Sequence, residues 1–496
     1  MVLWGALVGI CSGFVTVFYR LALTWADTLR KTIFPTADTF GEIALLFAFL
    51  AAIGIITGKL AESEPLIKGG GIPQLQGQLL GYFSPNCFKV LIKKFISGVL
   101  CILGGLSLGR LGPSIQLGAM TADGVCRITK RSNAERKYLL VCGASAGLSA
   151  AFNAPLSGLM FALEEVHKNF SARALFPAML AAIIGNFISV NFFGDASSLH
   201  LASAAQLPIQ FYTLYLIVGI ITGLLGVLYC RTLFKVQKLY VKTGLPLWLR
   251  ITVPFICAGI LSFVLPDILG GGQNIIDALA ADEYSISFIA VLLVVKFAFS
   301  MICFCAGAPG GIFFPLLVLG SLTGCLCANA AVALFDLPEN YIITFMLMGM
   351  AGMFAAVVRA PLTGILLVVE MSGSLTHLMG ISIVVCLASL TATLLRCRPV
   401  YEQLLDNLTP DPISKANPHR EQDIIDLAIP YGSPLCGKHI SEISWPDTCL
   451  VVSVTRGSDQ LIPHGITVIE PGDVLSVVCP VGDEALVQAV AGSTVV

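Results

Sequence analysis

From Met1 to about Leu405 apolar residues follow one another almost without pause, interrupted only by short polar gaps. Runs of about 20 apolar residues are long enough for a helix to cross a hydrocarbon core of roughly 30 Å, so the pattern predicts a bundle of membrane helices. The first run, from Val2 to Ala26, has neither a basic leader nor a small-residue cleavage site, and is read as the first membrane helix and not as a removed signal. Past Leu405 the pattern changes abruptly. Asp406–Asp423 holds three prolines and several charges and reads as an exposed linker. Beyond it, short alternating runs (Cys449–Val454, Gly465–Ile469, Val474–Val478) lie between Pro-His-Gly and Pro-Gly-Asp turns and predict a small soluble, β-rich domain. The expected organisation is a membrane domain over 1–405, a linker over 406–422 and a tail domain over 423–496.

Several membrane segments are interrupted. Gly and Pro break them at Lys68–Pro73, Gly109–Pro113, Asn153–Pro155, Gly307–Gly311 and Arg359–Pro361. Broken backbone at membrane depth is tolerated only where it is buried in protein or lines a watery cavity, which points to the interior of a transporter or channel. The breaks also recur. Ala154-Pro-Leu-Ser-Gly158 returns as Ala360-Pro-Leu-Thr-Gly364, 206 positions later, with the register kept to Glu164 and Glu370. Gly109-x-x-x-Pro113-x-x-x-Leu117-Gly118 returns 202 positions later as Gly311-x-x-x-Pro315-x-x-x-Leu319-Gly320, and the triplet Gly69–Gly71 returns as Gly270–Gly272. Three echoes in one order mean a duplicated unit, about 1–200 and 211–400, and paired broken helices place a binding site at the repeat interface.

Composition narrows the reading. Hydrophobic residues make up 56% and charged residues 12%, against about 25% charged in an ordinary soluble chain. A net charge of −1 argues against nucleic acid as a partner. The sixteen cysteines lie mostly inside apolar runs and form no C-x-x-C pair, so they read as small core- or lipid-facing residues and not as redox or zinc sites. No nucleophile–base pair, metal cluster or phosphate loop is legible, so no enzyme and no cofactor are expected. The basic cluster Arg127, Lys130, Arg131, Arg136 and Lys137 reads as a cytoplasmic loop, and Arg396 and Arg398 agree with a cytoplasmic tail.

A Gly-Pro break followed by an apolar run places a helix N-terminus inside the membrane. Its first amides lack intrahelical acceptors and carry the positive end of the dipole, which favours an anion. Gly112 and Pro113 open such a helix over 114–122, Gly311, Ile312 and Phe313 precede another over 315–322, and Gly71–Pro73 precede a third. Acidic residues inside the spans are few, chiefly Glu164, Glu165 and Glu370, so a cation site is not favoured. Arg110 is expected to be paired or turned toward water, raising the local anion concentration.

Gly69-Gly-Gly-Ile-Pro73, Gly109-Arg-Leu-Gly-Pro113, Gly311-Ile-Phe-Phe-Pro315 and Tyr401, together with Ala162-Leu-Glu-Glu-Val166, resemble the signature motifs of the CLC chloride channel and transporter family, in order across residues 1–405. The resemblance implies an all-α polytopic fold of two inverted repeats and a homodimer with one anion pathway per subunit. It places the protein in a bacterial-type plasma membrane with its tail in the cytoplasm. It implies chloride, or another small inorganic anion, held around Gly70, Gly71, Ile72, Arg110, Leu111, Gly112, Gly311, Ile312, Phe313 and Tyr401. By the same resemblance Glu165 is the inner proton acceptor and Glu164 structural; because His167 and Lys168 follow at once, the alternative is a pair solvated at the membrane interface.

Two departures from the family pattern matter. The middle of the second motif is normally a glutamate that serves as gate and proton carrier; here it is Leu111, which cannot ionise. Where chloride-selective relatives usually place a serine, this chain has Gly70, which removes a hydroxyl donor worth about 0.5–1.5 kcal/mol and opens the choice between chloride and nitrate. The expectation is passive anion conduction uncoupled from protons. The alternatives are a proton-coupled chloride or nitrate antiporter with a substitute acid, and a non-conducting membrane sensor or scaffold acting through its tail. The tail resembles the TrkA-C type of ligand-sensing domain in Ile429–Pro434, Gly437–Ile443, Pro463–Thr467 and Pro471–Leu475. Dimer contact or sensing of a small, unidentified anionic ligand follows as its role. No dinucleotide-binding half precedes it, so NAD or ATP is not expected.

Overall fold

Residues 1–409 and 410–496 form two separate units. The computed structural model describes residues 1–36, 39–194, 205, 207–409, 422–430, 432–443, 445, 449–457 and 459–480.

The first unit is helical throughout, and its helices fall into two series of eight. The first series is α1 (Val2–Ile33), α2 (Phe40–Ser63), α3 (Ile72–Leu80), α4 (Cys87–Leu103), α5 (Leu111–Ile128), α6 (Asn133–Phe152), α7 (Pro155–Phe161) and α8 (Ala172–Phe193). The second is α9 (Thr213–Lys242), α10 (Leu247–Val264), α11 (Gln273–Ala280), α12 (Ile286–Cys305), α13 (Phe313–Phe335), α14 (Ile342–Val358), α15 (Pro361–Ser372) and α16 (Leu378–Leu394). A further helix, α17 (Val400–Leu408), has no counterpart among the described residues of the first series. Among the described residues eight helices are long and apolar enough to cross a membrane. Short helices such as α3, α7 and α11 stop partway, as the Gly/Pro breaks require.

The two series share their local chemistry. α6 ends on Asn153 (φ 54°) and α14 on Arg359 (φ 69°), both left-handed caps. Each is followed by Ala-Pro, which starts α7 or α15 with a proline in the first turn, where its missing N–H costs nothing. α5 lies against α6 and α13 against α14 at matching glycines. A Cβ on Gly118 would come to 2.2 Å from Gly143 O, and one on Gly320 to 2.4 Å from Gly349 O. Close backbone approach of this kind is how membrane helices associate without a hydrophobic driving force.

The repeats are fastened by exchange. Glu164, in the turn after α7, accepts hydrogen bonds from the second series: Leu362 N (3.2 Å), Thr363 N (2.8 Å) and Thr363 Oγ1 (2.7 Å). Glu370 in turn accepts from Leu156 N (2.9 Å), Ser157 N (2.7 Å) and Ser157 Oγ. Each carboxylate thus caps the N-terminus of the other repeat's short helix, and reciprocal contacts of this form mark a two-fold relation.

Helix starts differ from the sequence expectation. α5 begins at Leu111 and α13 at Phe313, because Ser114 N already donates to Arg110 O (3.0 Å) and Leu316 N to Ile312 O (3.0 Å). A proline in the first turn does not delay a helix whose N–H has no acceptor there. The two helices also run on to Ile128 and Phe335, well beyond the expected ends. The expected linker opens later than Asp406, since α17 continues to Leu408; its residues 410–421 lie outside the described residues, as do 481–496 of the expected tail domain.

Three arginines of the basic loop after α5 are held by specific contacts. Buried Asp123 accepts from Arg127 Nε (3.1 Å) and from Arg136, while Arg131 lies over the Trp4 ring at 4.1 Å.

In the second unit β1 (Gln422–Ala428), β2 (Leu450–Arg456), β3 (Asp459–Leu461) and β4 (Val474–Pro480) form an antiparallel sheet in the order β1-β4-β2-β3. Leu427, Ile429, Val454, Ile469, Leu475 and Val477 build its core. Gly465–Ile469, expected as a strand, is not one: a single bridge joins Val468 to His439, and Pro463 and Pro471 on either side limit pairing. Burial alone would raise the Asp473 carboxyl, but bonds from Arg456 Nε and Nη2 (both 2.8 Å) and from Glu470 N (2.9 Å) outweigh it and hold it below the usual carboxylate range.

Candidate anion site at the repeat junction

The glycine-rich breaks meet at the centre of the first unit. Gly109 N donates to Gly311 O (2.7 Å) and Gly311 N to Gly109 O (3.0 Å), an antiparallel bridge across the pseudo-two-fold. Gly310 N donates to Gly69 O (3.0 Å), which brings in the first glycine triplet. A side chain on Gly112 could not be housed, since its Cβ would sit 2.7 Å from Gly70 O. Gly71, at φ 94°, turns the chain into α3. Buried Ile72 begins that helix. Three helix N-termini, those of α3, α5 and α13, therefore open beside one another with their first-turn amides free of intrahelical acceptors.

Two cavities flank this junction. One, of about 280 Å³, is lined by Leu108, Gly109, Arg110, Gly271, Gly272 and Phe314, with Asp27, Arg30 and Asp277 among its charged residues. The other, of about 150 Å³, is lined by Gly69, Gly70, Phe304, Ile312 and Tyr401, with Lys68 and Arg250. The repeat relates them: Gly109-Arg110 in one corresponds to Gly311-Ile312 near the other, and Gly271 to Gly70. They share no lining residue. Leu111 lines neither and is 0% exposed, like its repeat counterpart Phe313, which packs in an aromatic group with Phe152 (6.2 Å) and Phe354 (4.7 Å).

Of the residues singled out from the sequence, Gly70, Ile312 and Tyr401 thus come together around one cavity. Gly71, Ile72, Leu111, Gly112, Gly311 and Phe313 form the buried backbone and packing behind it. Arg110 lies in the other cavity, its guanidinium 4.9 Å from the Phe152 ring centroid. Glu165 lines neither cavity. It is buried, not solvated at an interface, and sits in a π-helical turn (Ala162–His167). Gln76 Nε2 donates to Glu165 O (2.8 Å) and to Glu165 Oε1 (2.9 Å). Such π turns are frequent at functional sites because they re-aim one side chain. The neighbouring Lys168 is taken up by Glu402.

Sequence reasoning missed two cations. Lys94 and Lys296 are both 0% exposed. Lys94 Nζ donates to Ile67 O (2.8 Å) and Gly69 O (2.6 Å), and Lys296 Nζ to Ile268 O (2.7 Å) and Gly270 O (3.0 Å). Each ammonium braces the glycine loop of its own repeat from behind, where it polarises the loop amides toward the cavity. The signal was present: the two lysines stand 202 positions apart, each before a phenylalanine in an apolar helix. Around α3 and α5, Gln74 Oε1, Gln76 Oε1 and Gln116 Oε1 are buried without a protein donor, which gives the junction unspent polarity.

The profile of the family described as voltage gated chloride channel matches residues 49–393, and that of the TrkA-C domain residues 424–492. The H(+)/Cl(-) exchange transporter ClcA of Citrobacter koseri is 34% identical over 422 residues, 82% of this chain and 88% of the relative; that of Salmonella paratyphi B gives the same figures. Among solved structures, a slow cyanobacterial Cl-/H+ antiporter superposes with a TM-score of 0.77 at 26% identity, over 82% of this chain and 97% of that one. A eukaryotic CLC transporter shares the fold with a TM-score of 0.70 at 21% identity, over 82% and 73% of the two chains. The duplicated helices, the glycine junction and the sequence match together make this chain a multi-pass membrane protein of the CLC chloride channel and transporter family, carrying a C-terminal TrkA-C domain.

Proposed function

We propose that the protein moves chloride, or a related small inorganic anion, across the membrane without coupling it to protons, and that it does not act as an enzyme. The observation that carries this reading is the junction itself: three helix N-termini between two cavities, with buried Leu111 where a carboxylate would be needed to carry a proton. The ion would enter the smaller cavity, where the Tyr401 hydroxyl and the first amides of α3 and α13 replace its water, and would pass Leu111 as a hydrophobic constriction. Relatives named as exchangers favour a second reading, coupled antiport through a substitute acid. Asp27 and Asp277 are the acids at the larger cavity, but Asp27 already accepts from Arg30 Nη2 (2.8 Å) and faces Lys31 Nζ (3.1 Å), so it is engaged in ion pairs. The separation of the two cavities favours a third, a non-conducting sensor. A homodimer, and a small anionic ligand at the TrkA-C domain, belong to the same proposal by family likeness.

Paired chloride and proton fluxes from liposomes, started with a potassium ionophore, test it. Chloride efflux with no proton movement is expected. Uphill proton movement in fixed ratio to chloride would establish the exchanger, and no flux of either ion the sensor.

A further inference from the structure

The turn between α16 and α17 carries a thiol that meets another from α9. Cys397 packs on a small apolar cluster of Val227, Ala356, Ala388 and Ala392, and Cys230, one helical turn beyond Val227, is the neighbouring thiol on α9. Cys230 Sγ also lies 4.0 Å from Val357 O. Two guanidiniums clamp the same turn: Arg359 Nη2 donates to Cys397 O (2.9 Å) and Arg231 Nη2 to Leu395 O (3.1 Å). Cys230 is buried whereas Cys397 is partly exposed. The Cys230 contact, with Arg359 and Arg231, holds the Cys397 thiol below the usual thiol range against the effect of burial. An accessible, thiolate-prone cysteine backed by a second thiol is the arrangement of a redox-sensitive pair.

We propose that Cys230 and Cys397 are an oxidation site whose disulfide ties the start of α17 to α9. The Cys397 thiolate attacks one oxygen of a hydroperoxide, the O–O bond breaks, and an alcohol or water leaves as Cys397 becomes a sulfenic acid. The Cys230 sulfur then attacks that sulfur and expels water, so two thiols lose two electrons to one peroxide. The link has a mechanical consequence. Tyr401 and Leu404 of α17, and Gln237 and Val241 of α9, wall the smaller cavity. Joining the two helices at Cys230 and Cys397 fixes those walls against each other, and any motion of Tyr401 that transport needs is slowed.

The full-length protein in liposomes is treated with hydrogen peroxide and mapped without reduction. Expected is a peptide joining Cys230 to Cys397 that separates with dithiothreitol. Amide hydrogen exchange over 400–408 should slow about tenfold, and chloride efflux should fall about fivefold until the reductant is added. Cys230→Ser should leave exchange and efflux insensitive to peroxide. The map of the unsubstituted protein needs no variant, so a misfolded Cys230→Ser protein does not shield the proposal. Peroxide treatment that yields no linked peptide, or a linked protein that exchanges as fast as the reduced one, overturns it. The efflux arm alone rests on the transport reading. A reduced protein with no efflux counts against that reading, while mapping and exchange still decide the thiol pair.

Discussion

The two repeats use one backbone plan at the junction but finish it differently. Where Gly112 stands in the first repeat, the second has Phe314; accordingly Gly70 meets bare backbone, with Gly112 Cα 3.9 Å from where its Cβ would be, whereas Gly271 meets the Phe314 ring at 3.7 Å. The smaller cavity also receives Tyr401 from α17, while the larger one receives Asp27, Arg30 and Arg110. One cavity therefore offers amides and a hydroxyl beside the cations Lys68 and Arg250, suited to strip an ion of water; the other offers acids and bases together around an aromatic wall, suited to gather ions. Duplication supplied the scaffold, and a handful of side chains made the two copies different; on the transport reading proposed above, one is the binding site and the other the mouth. At the midpoint the halves converge again, with Leu111 and Phe313 both apolar and both fully buried.

The largest effect is expected at that midpoint. Leu111→Ala should raise chloride efflux about tenfold, the equivalent of about 1.4 kcal/mol off a dewetting barrier. Leu111→Glu should slow efflux and bring protons with it, read in the paired flux assay. Unchanged flux in both would mean that the ion does not pass between the cavities here. Next come the braces. Lys94→Met should weaken chloride binding about tenfold by calorimetry, because its loop presents Gly70 to Tyr401's cavity; Lys296→Met should cost less than about threefold. Equal losses would erase the distinction between site and mouth. The smallest difference should come from the exchanged caps. Glu164→Gln and Glu370→Gln should each cost about 1–2 kcal/mol of stability, by thermal unfolding in detergent, and by similar amounts. A much larger loss for one would show that the two-fold is not shared energetically.

Much of this was legible in the chain. Gly and Pro at repeated offsets announced both the broken helices and the duplication, since few other residues can stop a helix at membrane depth. The cluster of Gly70, Ile312 and Tyr401 followed from family likeness; periodicity alone would have left Tyr401 as an aromatic anchor. Lys94 and Lys296 were not read, because a lysine in an apolar run looks like a snorkelling residue until its carbonyl partners, distant in sequence, are known. Glu165 was read, but its contact with Gln76, which spans 89 positions, was not. Gly465–Ile469 failed for the opposite reason: its alternation suits a strand, but its backbone bonds to residues 437–441 amount to a single β-bridge and not to a ladder.

The exchanged glutamates also set a schedule for biogenesis. Ser157 and the carboxylate that caps it are separated by 213 positions. At a synthesis rate of about 5–20 residues per second, the ribosome needs roughly 10–40 s to supply that partner. During that interval the amides at the start of α7 face the bilayer or its surface unclaimed, and Glu164 waits for a helix not yet made. The first repeat thus enters the membrane as an unfinished piece, and the arrival of α15 completes both halves in one event. A truncation shortly before Glu370 would then be an assembly defect in the first repeat, although every residue of that repeat is present.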